Sequence, residues 1–311
     1  MNKSICVLIF IILIACFLTC GSKQPVSLSY TEDFPIIEVH EPTRAEQVIK
    51  ALQKAYPDQI DAVEYRNDDW AVLLRGTWYY FANGRLLPEE KISNSENYRA
   101  LQFYHYPAQL PPWTARTPEE TERFRNMTAN RRQNTLKRSS YFLDSLWQAA
   151  TRLETERRLV RITFLGRRLR VHQGIQEKLE LVETRILAIA KMENEVQAWV
   201  DGIGTVEGWH WRNIADVDTR SYHSYGLAID LLPRAIRGRQ TYWLWTSQYR
   251  EDWWNVSYNE RYHPPQSVIN AFETYGFIWG GKWLLFDTMH FEYRPEILAF
   301  NDLLKTPVFS E

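Results

Sequence analysis

The stretch SYHSYGLAID, Ser221 to Asp230, constrains this chain more than any other. It has the form His-x6-Asp, with Gly226 and Ala228 between His223 and Asp230. If Leu227 to Leu231 form a strand, Asp230 projects from one face of it. Gly226 then lets the loop that carries His223 fold back against that face. Ala228, on the same face as Asp230, is small enough to leave room for an ion. The pair offers one nitrogen and one oxygen. A zinc site that does chemistry usually takes three N or O ligands and keeps one position open. Alone, the stretch reads as a strand with a structural histidine; it reads as half of a metal site only if the chain offers the rest.

The rest lies in GFIWGGKWLLFDTMHFEYRPE, residues 276–296, where Asp287 precedes His290 by three and Glu292 follows it by two. In an extended segment His290 and Glu292 share a face. His290 supplies a third ligand. If the chain turns between them, Asp287 reaches the open position, where a carboxylate can take a proton from water and deliver it to a leaving amine. Glu292 has two open roles: acceptor for a ligating histidine, or ion-pair partner of Arg294. GFIWGGKW is either one wall of a cleft or a plain hairpin. His210 and His263 read as non-ligands, and Ser221 lacks the paired histidine and aspartate that a nucleophile needs.

SYHSYGLAID, as Ser-x-His-x2-Gly-x-Ala-x-Asp, together with DTMHFE, resembles the M15 zinc peptidases: D-alanyl-D-alanine carboxypeptidases and dipeptidases, and L-alanyl-D-glutamate endopeptidases. The resemblance covers roughly Val171 to Glu296, and residues before about 160 have no counterpart in it. It implies an α+β fold, a small antiparallel sheet flanked by helices, of the hedgehog-type DD-peptidase kind, here with an N-terminal α+β extension. It implies one zinc ion on His223, Asp230 and His290, with Asp287 as general base. It implies hydrolysis of an amide bond in peptidoglycan stem peptides, as a carboxypeptidase or an endopeptidase. Aspartate at 287, where the dipeptidase branch usually has glutamate, lies nearer the endopeptidase-like branch. The family also carries an arginine before the first motif that holds a substrate carbonyl or carboxylate. Arg212 in GWHWRNI is the nearest equivalent and Arg220 its competitor; either can instead pair with Asp216 or Asp218. A rival reading is a non-catalytic, cell-wall-binding lipoprotein on the same fold. Another is a zinc hydrolase for a non-peptide amide or ester.

The N-terminus carries a targeting signal. Lys3 precedes an apolar run from Ile5 to Leu18. That run is shorter than the roughly 20 residues of a membrane span and fits a secretory signal. All three cysteines, Cys6, Cys16 and Cys20, fall in this segment, so the body has no internal disulfide. LTCGSKQ resembles a bacterial lipobox with Cys20 lipidated; LIAC offers Cys16 instead, and an uncleaved signal anchor is a third possibility. Each places the body outside the cytoplasm, in the periplasm or cell envelope and held to the membrane. The formal net charge of -1 predicts no nucleic-acid partner.

Residues 1–20 thus read as signal and lipobox, 21–42 as tether, 43–160 as an N-terminal α+β and helical region, and 161–311 as the peptidase domain. TRAE at Thr43 is a capping box that opens a helix with Val48, Ile49 and Leu52 inside, stopped by Pro57. WAVLLRGTWYYFANGRLLP reads as two β runs joined by a hairpin at Asn83-Gly84. TPEE at Thr117 opens a long basic helix that includes Arg123, Arg125, Arg131, Arg132, Lys137 and Arg138. FLGRRLRVHQG is a hairpin turning at Gly166. A helix from Gln176 to Val200 points Leu179, Val182, Ile186, Ile189 and Val196 into a core. The aromatic run TYWLWTSQYREDWWNVSY can line a groove or build core, and core is the favoured reading.

Overall fold

Helix α1 (Arg44–Ala55) begins where the capping box predicts. The Thr43 hydroxyl accepts the Glu46 N–H, and Val48, Ile49 and Leu52 are buried. The computed structural model describes residues 43–129, 136–215 and 217–305. The signal segment, the tether, the lipobox cysteines, Arg131, Arg132 and Asp216 lie outside the described residues.

After α1 comes an antiparallel meander of β1 (Ile60–Arg66), β2 (Asp69–Leu74), β3 (Thr77–Tyr80) and β4 (Leu87–Pro88). The tight turns are not where the sequence reading puts them. They fall at Asn67-Asp68 (φ 49 and 61) and Arg75-Gly76 (φ 51 and 77). Both central residues have positive φ, which matches the right-handed twist of paired strands. Asn83-Gly84 instead sits in a 3₁₀ turn, Ala82–Gly84, between β3 and β4. The Asp69 carboxylate accepts the Ala82 N–H at 2.7 Å there and steers the chain into that wider connection.

Next come β5 (Tyr98–Arg99), α2 (Pro118–Ala129) and β6 (Lys137–Arg138). Thr117 caps α2 reciprocally with Glu120. Lys137 and Arg138, expected on that helix, form a parallel bridge with Tyr98 and Arg99 instead. The Thr219 hydroxyl holds this bridge, accepting from Arg138 N at 3.3 Å and Arg99 Nη2 at 3.2 Å.

Helices α3 (Tyr141–Trp147) and α4 (Arg152–Arg157) lead into the hairpin β7 (Leu159–Phe164) and β8 (Arg167–His172), which turns at Gly166 as expected. The boundary expected at residue 160 falls inside β7. The described residues belong to one compact unit, Glu41–Glu311, and one hydrophobic core runs from Val48 to Phe300. The single helix expected to Val200 is two, α5 (Gln176–Ala190) and α6 (Asn194–Gly202). Glu193 takes an extended conformation between them (φ -117, ψ 106). Val196 stays buried across the break, so apolar spacing does not reveal it.

The remaining elements are β9 (Ile203–Glu207), α7 (Tyr222–Tyr225), β10 (Ala228–Pro233), α8 (Trp243–Thr246), α9 (Gln266–Thr274), β11 (Phe277–Trp279), β12 (His290–Tyr293) and α10 (Pro295–Lys305). They build a second antiparallel sheet in the order β11-β12-β10-β9. The fold is α+β, with small antiparallel sheets flanked by helices. Part of the aromatic run is core: its Trp243, Trp253, Trp254 and Val256 form a separate cluster with Phe286 and with Phe124 of α2. Trp245 and Tyr249 are exposed.

The segment 101–113, which belongs to no helix or strand, ties the N-terminal region to elements near the C-terminal sheet. Tyr104 Oη accepts from Trp283 Nε1 at 2.8 Å, and the Tyr106 N–H donates to Asn301 Oδ1 at 2.8 Å. Lys282 Nζ donates to the Pro107 and Ala108 carbonyls.

Candidate metal centre

His223 sits in a helix of a single turn, α7. Ser221 caps its start, with Oγ accepting the His223 N–H at 3.3 Å. Gly226 ends it in the left-handed region (φ 73). A Cβ on Gly226 would lie 2.7 Å from His172 N, because the β7–β8 hairpin closes directly on this residue. The Gly226 carbonyl accepts that same His172 N–H at 2.9 Å. The loop foreseen for His223 is thus a clamped turn that leads straight into β10.

Strand register places the other two donors. Asp230 on β10 and His290 on β12 are directly paired. His290 Nδ1 lies 2.8 Å from Asp230 Oδ1. His223 Nε2 lies 3.2 Å from Asp230 Oδ2 and 3.3 Å from His290 Nδ1. One ligand atom from each of the three residues falls within 4.8 Å of the others. The far ring nitrogens are also engaged. His223 Nδ1 is 2.6 Å from the Gly208 carbonyl, so Nδ1 donates and the Nε2 lone pair faces the cluster. His290 Nε2 is 3.2 Å from Glu292 Oε2, and Glu292 Oε1 is 3.2 Å from Arg294 Nη1. Both roles left open for Glu292 are filled at once.

Burial would raise the Asp230 carboxyl, but the two imidazoles outweigh it and hold the group well below the usual range. Burial would lower His290; the hydrogen bonds to Asp230 and Glu292 overcome that and push it up to about 10.

Asp287 occupies the turn before β12. Its carbonyl accepts the His290 N–H at 3.3 Å, and its N–H donates to the Gly280 carbonyl at 3.1 Å. Only glycine fits at 280, where a Cβ would stand 2.6 Å from the Asp287 carbonyl oxygen. Burial first, and then Asp230, push the Asp287 carboxyl up to about 7, against the lowering effect of His290, a hydrogen bond from the Met289 backbone and, last, Arg212. Its Oδ1 is buried, and no described residue hydrogen-bonds it. An orphaned buried carboxylate oxygen calls for an explanation. Three converging N and O donors beside it supply one: this donor set fits a divalent metal with an adjacent proton acceptor.

The two candidate arginines separate. Arg220 is held by Asp144 Oδ1 and the Ala149 carbonyl, each at 2.8 Å, and its guanidinium lies 3.9 Å from the Tyr225 ring centroid. Arg212 is exposed, and its charge acts on Asp287. Asp218, foreseen as an arginine partner, pairs with Lys137 at 3.0 Å. His210 meets the site only through its backbone, donating to the His223 carbonyl at 3.2 Å. His263 Nε2 is 2.8 Å from the Tyr258 carbonyl, away from the cluster. The hairpin reading of GFIWGGKW holds, since β11 pairs with β12, and the Trp283 ring lies 5.5 Å from the His290 ring. The sequence reading missed the Gly208 carbonyl and the Tyr104 hydroxyl that holds Trp283.

A family model described as D-alanyl-D-alanine carboxypeptidase matches residues 215–293. The likeness to M15 peptidases therefore holds over the span that contains His223, Asp230, Asp287 and His290. A second model, described as a domain of unknown function, matches residues 48–103. No curated protein and no solved structure matches.

Proposed function

We propose that this protein is a zinc-dependent peptidase that hydrolyses an amide bond in peptidoglycan stem peptides. One observation carries the reading. The span similar to D-alanyl-D-alanine carboxypeptidases contains three converging donors and, beside them, a buried carboxylate with a free oxygen.

Zinc would be held by His223 Nε2, Asp230 and His290 Nδ1. Bound there, the ion supplies Lewis acidity, which acidifies water and polarises the amide carbonyl. Asp287 takes the proton of the attacking water and returns it to the leaving amine. A carboxylate with one unengaged oxygen on this turn can first accept and then donate that proton. Arg212 steadies the negative charge of the substrate carboxylate or the oxyanion. Gly208 and Glu292 fix which nitrogen each histidine presents. Lys3, the apolar run and the lipobox-like LTCGSKQ support export to the cell envelope, with a lipid anchor at Cys20 or Cys16.

The test is digestion of purified peptidoglycan, with fragments read by mass spectrometry. The parent protein should shorten or split stem peptides. Asp287→Ala should leave them intact while still binding zinc. A parent that releases no peptide fragment, or an Asp287→Ala variant that cuts at the parent rate, overturns the proposal.

A further inference from the structure

Behind the metal donors, a line of buried charge runs from His290 into the N-terminal region. His290 Nε2 meets Glu292 Oε2 at 3.2 Å, and Glu292 Oε1 meets Arg294 Nη1 at 3.2 Å. Arg294 Nε donates to Glu296 Oε1, and Tyr56 Oη donates to Glu296 Oε2 at 2.6 Å. Arg294 Nη2 donates to the Gln102 carbonyl at 3.0 Å, and the guanidinium lies 4.7 Å from the Tyr222 ring centroid. Glu292 is 7% exposed, and Arg294, Glu296 and Tyr56 are each 3% exposed.

Buried charges persist only when paired and hydrogen-bonded in good geometry. Here one guanidinium holds two carboxylates at once, and each carboxylate has its second oxygen engaged elsewhere. Glu292 therefore has little rotational freedom. The ring nitrogen it accepts from is set with it, and so is the direction in which His290 Nδ1 points. Two of the anchors, Tyr56 and the Gln102 carbonyl, belong to the segment before residue 160, outside the span similar to peptidases.

We propose that Arg294 is a positioning residue for the metal centre, acting through Glu292 on His290, and that the N-terminal region holds it in place through Tyr56 and the Gln102 carbonyl. This rests on the reading of His290 as a metal ligand.

The experiment measures zinc affinity of the full chain by competition with a chromophoric chelator, with thermal melting of each metal-free variant as a control for folding. Arg294→Met should weaken zinc binding about 10- to 100-fold, the range for residues that orient a ligand. Arg294→Lys should recover part of that loss. Tyr56→Phe, which removes one hydroxyl and keeps the ring, should weaken binding severalfold. Placed in a Glu292→Gln background, Tyr56→Phe should have no further effect, because the path to His290 is already cut. A purely structural role would lower affinity equally in both backgrounds, and that result overturns the proposal. Equal affinity of parent, Arg294→Lys and Tyr56→Phe overturns it too. If Arg294→Met fails to fold, the Tyr56→Phe pair decides. A parent with no zinc affinity defeats the zinc reading and this inference together. A parent that binds zinc, with variants that bind equally well, defeats the inference alone.

Discussion

Asp230 and His290 are register partners across the β10–β12 pairing, with Oδ1 of one 2.8 Å from Nδ1 of the other. A slip of one residue would turn one of them to the opposite face. Forming this sheet and bringing these two donors together are therefore one event.

Zinc should accordingly stabilise the fold. Free zinc at a hundredfold its dissociation constant adds about 2.7 kcal/mol. Calorimetry with and without zinc should show a rise in melting temperature that a chelator reverses. Asp230→Ala should abolish the rise. A zinc-induced rise that survives Asp230→Ala would place the ion elsewhere.

Arg212 and Arg220 should fail in opposite ways. Arg220→Met breaks a partly buried pair with Asp144 and should cost roughly 2–4 kcal/mol, discounted for its partial exposure. Arg212→Ala should leave the melting temperature in place and lower kcat/KM about tenfold to a hundredfold, the scale of one charged hydrogen bond. Chemical denaturation and steady-state kinetics on both variants check the split.

His172 should make stability depend on pH. Nδ1 accepts the Gly174 N–H at 3.0 Å, and Nε2 donates to the Trp147 carbonyl at 2.9 Å, so the neutral ring has no place for a second proton. Burial holds its pKa down to about 4. The unfolded chain takes that proton near pH 6.5. Stability from this group is thus complete above about pH 6.5 and is lost as pH falls toward 4, by up to about 3 kcal/mol. Urea midpoints for the parent and His172→Gln at pH 7 and pH 4.5 test this. The parent should lose more, and parallel losses would refute the assignment.

Gly226 and Gly166 share the same φ of +73 in different surroundings. A Cβ at 166 meets nothing within 4 Å, so Gly166→Ala should cost only about 1 kcal/mol of backbone strain. A Cβ at 226 meets His172 N at 2.7 Å and Leu159 Cδ2 at 2.8 Å. Gly226→Ala should cost at least about 2 kcal/mol and weaken zinc binding as well, because α7 has to shift. Equal urea midpoints for the two variants would contradict this.

Much of this was legible in the sequence where one residue type has one mechanical use. Thr43 announces α1, Gly166 turns the β7–β8 hairpin, and Gly226 with Ala228 marks the entry to β10. The convergence of His223, Asp230 and His290 was readable only because DTMH supplies what SYHSYGLAID lacks. What escaped depends on partners distant in sequence or on the backbone itself. Glu193 breaks a helix whose buried stripe runs on through Val196. Asp144 claims Arg220 from 76 residues away. The Gly208 carbonyl that orients His223 leaves no mark in any side chain. Asn83-Gly84 misled because a favourable dipeptide yielded to the pull of the Asp69 carboxylate.

Tyr106 meets Asn301 across 195 residues, and Tyr56 meets Glu296 across 240. Contacts this far apart form only when all the chain between them exists. During synthesis, the N-terminal meander is made long before there is any surface for Leu101–Trp113 to lie on. The network behind His290 is complete only once α10 has been added. A nascent chain that stops short of Glu296 therefore holds His223, Asp230 and His290 without the network that backs them.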